Sequence, residues 1–249
     1  MSYNDDSEYL NFLVRNNILI CSEDYQKYDR LPISVIGEQD WDLINTTYEK
    51  ERIVVIDNFL KDDVANRLRK FFLFFNVIED IYPDYAAINL YKEPNRIWFP
   101  LLTNITEELK EVAPFLEETR FVRAWAFIYN TVSNGVPAHA DPASTNINLW
   151  VTPNECMNMQ EGYNGLDVWK IYPPKEWEYR DYNGNLSKIA EYLSTNESAK
   201  VSIPYNCNRA TIFDSMFFHK SNPVYTKPGY DNRRINYTFL YERMTDELQ

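Results

Sequence analysis

Hydrophobic and polar positions give the two halves of this chain different textures. In the first half the apolar positions recur at helical spacing. "KDDVANRLRKFFLFFNV" places Val64, Leu68, Phe71, Phe72 and Phe75 along one face, with acids in the first turn where the positive end of the helix dipole favours them. The pattern predicts an amphipathic helix whose aromatic stripe is core. "SEYLNFLVRNN" and "EQDWDLINTTYEK" also have helical character, so residues 1–50 read as a helical N-terminal extension with no assigned function. Between extension and stripe, "RIVVIDNFL" is β-branched and reads as a strand ending at an Asp-Asn pair.

From about residue 121 the texture changes. "FVRAWAFIYNTV", "NINLWVTP", "GLDVWKIYPP", "KVSIPY", "RATIFDSMFF" and "INYTFLYE" are short, rich in Val, Ile, Tyr, Phe and Trp, and separated by Pro, Gly and Asn turns. Only "NGNLSKIAEYLSTN" interrupts them with a helical pattern. A mainly β domain with flanking helices (α+β) follows, spanning residues 51–249. It is expected as a sandwich or jelly roll with the first-half helices buttressing one sheet.

Composition narrows the function classes. At 249 residues, 45% hydrophobic and 16% aromatic, the chain can fill one large core. A formal net charge of −12 argues against nucleic-acid and anionic-membrane partners, because those surfaces require clustered Lys and Arg. Six glycines match no phosphate-cradling loop. Cys21, Cys156 and Cys207, an odd number without short spacing, read as free thiols in a reducing compartment. The acidic start resembles no signal peptide, and no apolar run reaches the roughly 18 residues that span a bilayer. A cytoplasmic protein is expected.

The candidate chemistry lies in "PAHADPASTNINLW", where His139 stands two residues before Asp141. In extended chain, residues i and i+2 point to the same side, so both can aim at one point. On its own the pair favours a hydrogen-bonded core or surface histidine over a metal ligand. A 2-His-1-carboxylate iron(II) site needs one more imidazole, and the chain's other histidine, His219, lies at the end of "RATIFDSMFFH". Fifteen residues on, alternation in "RRINYTFLY" puts Arg234, Asn236 and Thr238 on one strand face and Ile235, Tyr237, Phe239 and Tyr241 on the other. An arginine fork on an interior face needs a planar anion such as a carboxylate.

Together these residues resemble the Fe(II)- and 2-oxoglutarate-dependent oxygenases, whose pattern is His-x-Asp, a long gap, a distal His and then Arg-x-Ser or a relative. The resemblance covers residues 120–244, extends more weakly to "RIVVIDNFLKDDVANRL", and looks prolyl-hydroxylase-like, close to uncharacterised bacterial members. It implies a double-stranded β-helix (jelly roll, cupin-like) with His139, Asp141 and His219 as both the metal ligands and the catalytic residues. It also implies 2-oxoglutarate as cosubstrate with Arg234 on its distal carboxylate, and O₂ as oxidant. Asn236 stands where the family commonly has Ser, and Tyr129 where some members hydrogen-bond the cosubstrate. The implied reaction hydroxylates a protein side chain or small molecule and releases succinate and CO₂. Asp141 argues against halogenation, which family members perform when a small residue replaces the carboxylate. Two alternatives stay open: an AlkB-like demethylase, whose Arg-x-Asn-x-Thr-x-Arg pattern "RINYTFL" matches until Leu240, and a cupin-like metal-binding protein without 2-oxoglutarate.

Overall fold

The computed structural model describes residues 34–74, 80–90, 100–160 and 162–244. The calls on "SEYLNFLVRNN", Cys21 and Phe75 lie outside the described residues. Among those described, five α-helices accompany twelve strands, every strand pairing being antiparallel. Helix α1 (Trp41–Glu51) starts where the Asp40 side chain accepts from the Leu43 amide, and stops where Arg52 enters the left-handed region at φ 56°. Strand β1 (Ile53–Ile56) follows, then α2 (Asp62–Phe74), the predicted amphipathic helix. Next come β2 (Asp80–Ile81), β3 (Tyr85–Leu90) and α3 (Pro100–Val112).

The second half runs β4 (Thr119–Tyr129), β5 (Val132–Ser133), β6 (Thr145–Trp150), β7 (Leu166–Trp169), α4 (Tyr179–Tyr182) and α5 (Leu186–Ser194). It continues with β8 (Lys200–Ile203), β9 (Ala210–Asp214), β10 (Phe218–Ser221), β11 (Val224–Tyr225) and β12 (Ile235–Arg243). The larger sheet has the order β1-β9-β6-β12-β4-β3-β2; a smaller one runs β10-β7-β8, and β11 pairs with β5.

Alternation along the strands sorts side chains into layers. Ile235, Tyr237, Phe239 and Tyr241 of β12 face the helices, packing with Ile44 and Tyr48 of α1, Val64, Leu68 and Phe72 of α2, and Leu101, Ile105 and Leu109 of α3. Val35, Ile36, Ile44 and Tyr48 belong to this cluster, so the core extends upstream of residue 51. The larger sheet's opposite face meets the smaller sheet, with Trp150 and Phe213 packed against Leu166, Val168 and Ile203. Helix α5 covers the outer face of the smaller sheet through Ile189 and Leu193 on Trp169 and Phe218. Among the described residues, no helix is long and apolar enough to cross a membrane. Cys156 and Cys207 are free thiols.

Candidate metal centre and its cavity

The two histidines meet because their backbones form one antiparallel pair. The His139 amide donates to the His219 carbonyl at 3.0 Å and the His219 amide donates back at 2.8 Å, which places their side chains together on one face. Residues 137–141 thereby extend the smaller sheet past β10. Asp141 is fixed by its own amide, which donates to the Ser215 carbonyl. The imidazole rings stand 4.4 Å apart. His139 Nε2 lies 3.8 Å from Asp141 Oδ1 and His219 Nε2 lies 3.6 Å from Oδ2, and one ligand atom from each residue falls within 4.8 Å of the others.

Both rings are held in one tautomer. His139 Nδ1 lies 2.8 Å from the Pro137 carbonyl and His219 Nδ1 2.9 Å from that of Phe217. A carbonyl only accepts, so Nδ1 is the donor in each ring, and the neutral form of each imidazole offers its Nε2 lone pair on the side of Asp141. Burial, followed by the neighbouring His219, lowers the His139 pKa and favours its neutral, ligating form. Burial would raise the Asp141 carboxyl, but the neighbouring imidazoles of His139 and His219, where they carry a proton on Nε2, and a hydrogen bond from Asn183 outweigh it and hold it at about 2. Two imidazoles and a carboxylate suit a divalent first-row metal.

The triad lines a cavity of about 680 Å³ between the two sheets, which Tyr85, Trp125, Phe127, Tyr129 and Asn236 also line. Arg234 lies behind this wall. It is fully buried, and its three guanidinium nitrogens have no hydrogen-bond partner. Rings surround it instead: Tyr129, Trp150 and Tyr205 have their centroids 4.8, 5.1 and 5.6 Å from the guanidinium carbon. Burial pushes its pKa below the ordinary arginine value, while Tyr129 and Tyr205 act the other way.

Tyr129 shares a 3.0 Å hydrogen bond with Ser221, and Asn236 Nδ2 donates to Thr238 Oγ1 while its Oδ1 is buried without a partner. The structure therefore brings together His139, Asp141 and His219 at one point, and Arg234, Tyr129 and Asn236 along one face of β12 and β4. Asn183, Asn146, Trp150, Tyr205 and Ser221 were missed by the sequence reading.

No protein-family profile matches the sequence, and no curated protein matches it in a sequence search. Solved structures do. HygX from Streptomyces hygroscopicus, with nickel and 2-oxoglutarate bound, superposes with a TM-score of 0.57 at 8% identity over 84% of this chain and 88% of its own. An oxidoreductase of the 2OG-Fe(II) oxygenase family from Burkholderia pseudomallei gives 0.53 at 11%, over 84% and 92%. A Pseudomonas putida prolyl-4-hydroxylase gives 0.52 at 12%, over 84% and 97%. At such identities the likeness shows a shared fold: the chain has the fold of the 2-oxoglutarate and iron oxygenases.

Proposed function

We propose that this protein is an iron(II)- and 2-oxoglutarate-dependent oxygenase built on a double-stranded β-helix, hydroxylating a protein side chain or small molecule. The observation that carries the proposal is Arg234. A guanidinium cannot shed its proton in a protein, and an unpaired one in an aromatic box costs several kcal/mol. A site built this way is completed by an anion, and a carboxylate matches the planar fork. Tyr129 is the box residue that lines the cavity, so an anion entering from the cavity meets Arg234 beside that ring.

His139, Asp141 and His219 would hold the metal, and the donor set fits iron(II). Bound iron with 2-oxoglutarate and O₂ supplies the oxidising power, with succinate and CO₂ as by-products. The chain's own residues do the rest. Pro137 and Phe217 fix the imidazole tautomers, Arg234 anchors the far carboxylate of the cosubstrate, and Tyr129 and Asn236 offer polar atoms along its path. Tyr85, Trp125 and Phe127 would give the substrate an aromatic wall on one side of the cavity. HygX has been crystallised with hygromycin B bound, and prolyl 4-hydroxylases share the fold.

Anaerobic titration with iron(II) tests the proposal. Wild type should take up one equivalent, and His139→Ala and His219→Ala should each abolish stoichiometric binding. Unchanged affinity in either variant would remove the metal centre.

A further inference from the structure

The Asp141 carboxylate is gripped from an element that contributes none of the three candidate ligands. Asn183 follows α4, and its Nδ2 donates to the Ala140 carbonyl at 2.7 Å and to Asp141 Oδ1 at 3.2 Å. Both partners are acceptors, so only the NH₂ end of the amide can face them. The remaining amide oxygen accepts a proton from the Tyr179 hydroxyl at 3.1 Å. Tyr179 lines the cavity, so the brace begins at the cavity wall.

The platform beneath this chain of bonds is well anchored. The Ala140 amide donates to the Tyr182 carbonyl at 2.9 Å, tying α4 to the residue between His139 and Asp141. The Asp181 carboxylate accepts from the Glu178 amide and pairs with Lys188 of α5 at 3.0 Å. Helix α5 packs on Ala140 and on Phe218, the residue before His219. Asn183 is thus delivered by a unit that touches the backbone on both sides of the triad.

Asp141 Oδ2 accepts from Asn146 Nδ2 at 3.4 Å, so each carboxylate oxygen has one amide donor and one facing imidazole. Rotation about the Cβ–Cγ bond would break both amide contacts. We propose that Asn183, braced by Tyr179, is a positioning residue that sets the orientation of the Asp141 carboxylate for metal binding, an inference that rests on reading the triad as a metal centre.

The test is a double-mutant cycle on the full chain: wild type, Asn183→Ala, Tyr179→Phe and the double variant, each titrated anaerobically with iron(II) after circular dichroism confirms the fold. Affinity should fall about 10- to 100-fold in Asn183→Ala, the usual effect of losing a bond that orients a metal ligand. It should fall by a smaller factor in Tyr179→Phe, and Tyr179→Phe should cost nothing further once Asn183 is gone. Tyr179 is 54% exposed, so Tyr179→Phe is expected to fold and decides the matter even where Asn183→Ala does not. Unchanged affinity in Tyr179→Phe, or losses that simply add, would overturn the proposal. A wild type that binds no iron, or a His139→Ala variant that still does, would instead overturn the metal centre itself.

Discussion

Under the proposed function, Arg234 is the residue at which stability and function pull apart. Its charge is fully buried with no hydrogen-bond partner, and the faces of Tyr129, Trp150 and Tyr205 offset only part of the desolvation cost. Replacing it with an apolar side chain of similar length should therefore stabilise the ligand-free protein. Arg234→Met is expected to raise the Tm in calorimetry, and a lowered Tm would mean that the guanidinium has a stabilising partner after all. 2-Oxoglutarate at a hundred times its Kd should add about 2.7 kcal/mol of stability to wild type and so raise its Tm, and the same concentration should leave the variant's Tm nearly unmoved. Arg234 and the triad could be picked out in the sequence because three short patterns, none decisive alone, follow one another in order: His-x-Asp, a histidine closing a strand, an arginine leading an alternating one. Asn183 could not. It lies 42 residues from Asp141, and its role exists only once α4 has folded onto Ala140.

At the scale of elements, the two faces of the larger sheet have separate tasks. Leu68 of α2 is fully buried in the cluster on the helix side, and its carbonyl accepts from the Tyr237 hydroxyl. Leu68→Ala should cost about 2–5 kcal/mol in urea unfolding, the range for truncating a core leucine. The iron(II) affinity of the folded variant should be unchanged, because the triad is held by the smaller sheet, across the cavity from the larger one. A parallel loss of affinity would show that the helix layer tunes the site. The alternation of β12, the stripe of α2 and helix α5 were readable because their periods span several repeats. Strands β5 and β11, two residues each, are too short to show a period, and β3 carries two alanines in six residues. Helix α3 could have been read from Leu101, Leu102, Ile105 and Leu109, whose spacing is helical.

For the whole molecule, the described fold is a sheet sandwich with helices on both outer faces and a cavity between the sheets that meets the triad. A charge of −12 leaves the phosphate backbone of a nucleic acid as a poor partner, which favours the hydroxylase proposal over a demethylase one. The proposed function requires an iron centre in the cavity and a carboxylate anchor, Arg234, just behind its Tyr129 wall, and a single titration reads both. 2-Oxoglutarate is added to the anaerobic iron(II) protein, wild type and Arg234→Met, while the visible spectrum is followed. Wild type should develop the weak charge-transfer band of the chelate at low cosubstrate concentration. Arg234→Met should bind iron normally yet need far more 2-oxoglutarate to show the band. Iron bound by wild type with no band at any concentration would contradict the proposed function, leaving a metal-binding β protein without this cosubstrate.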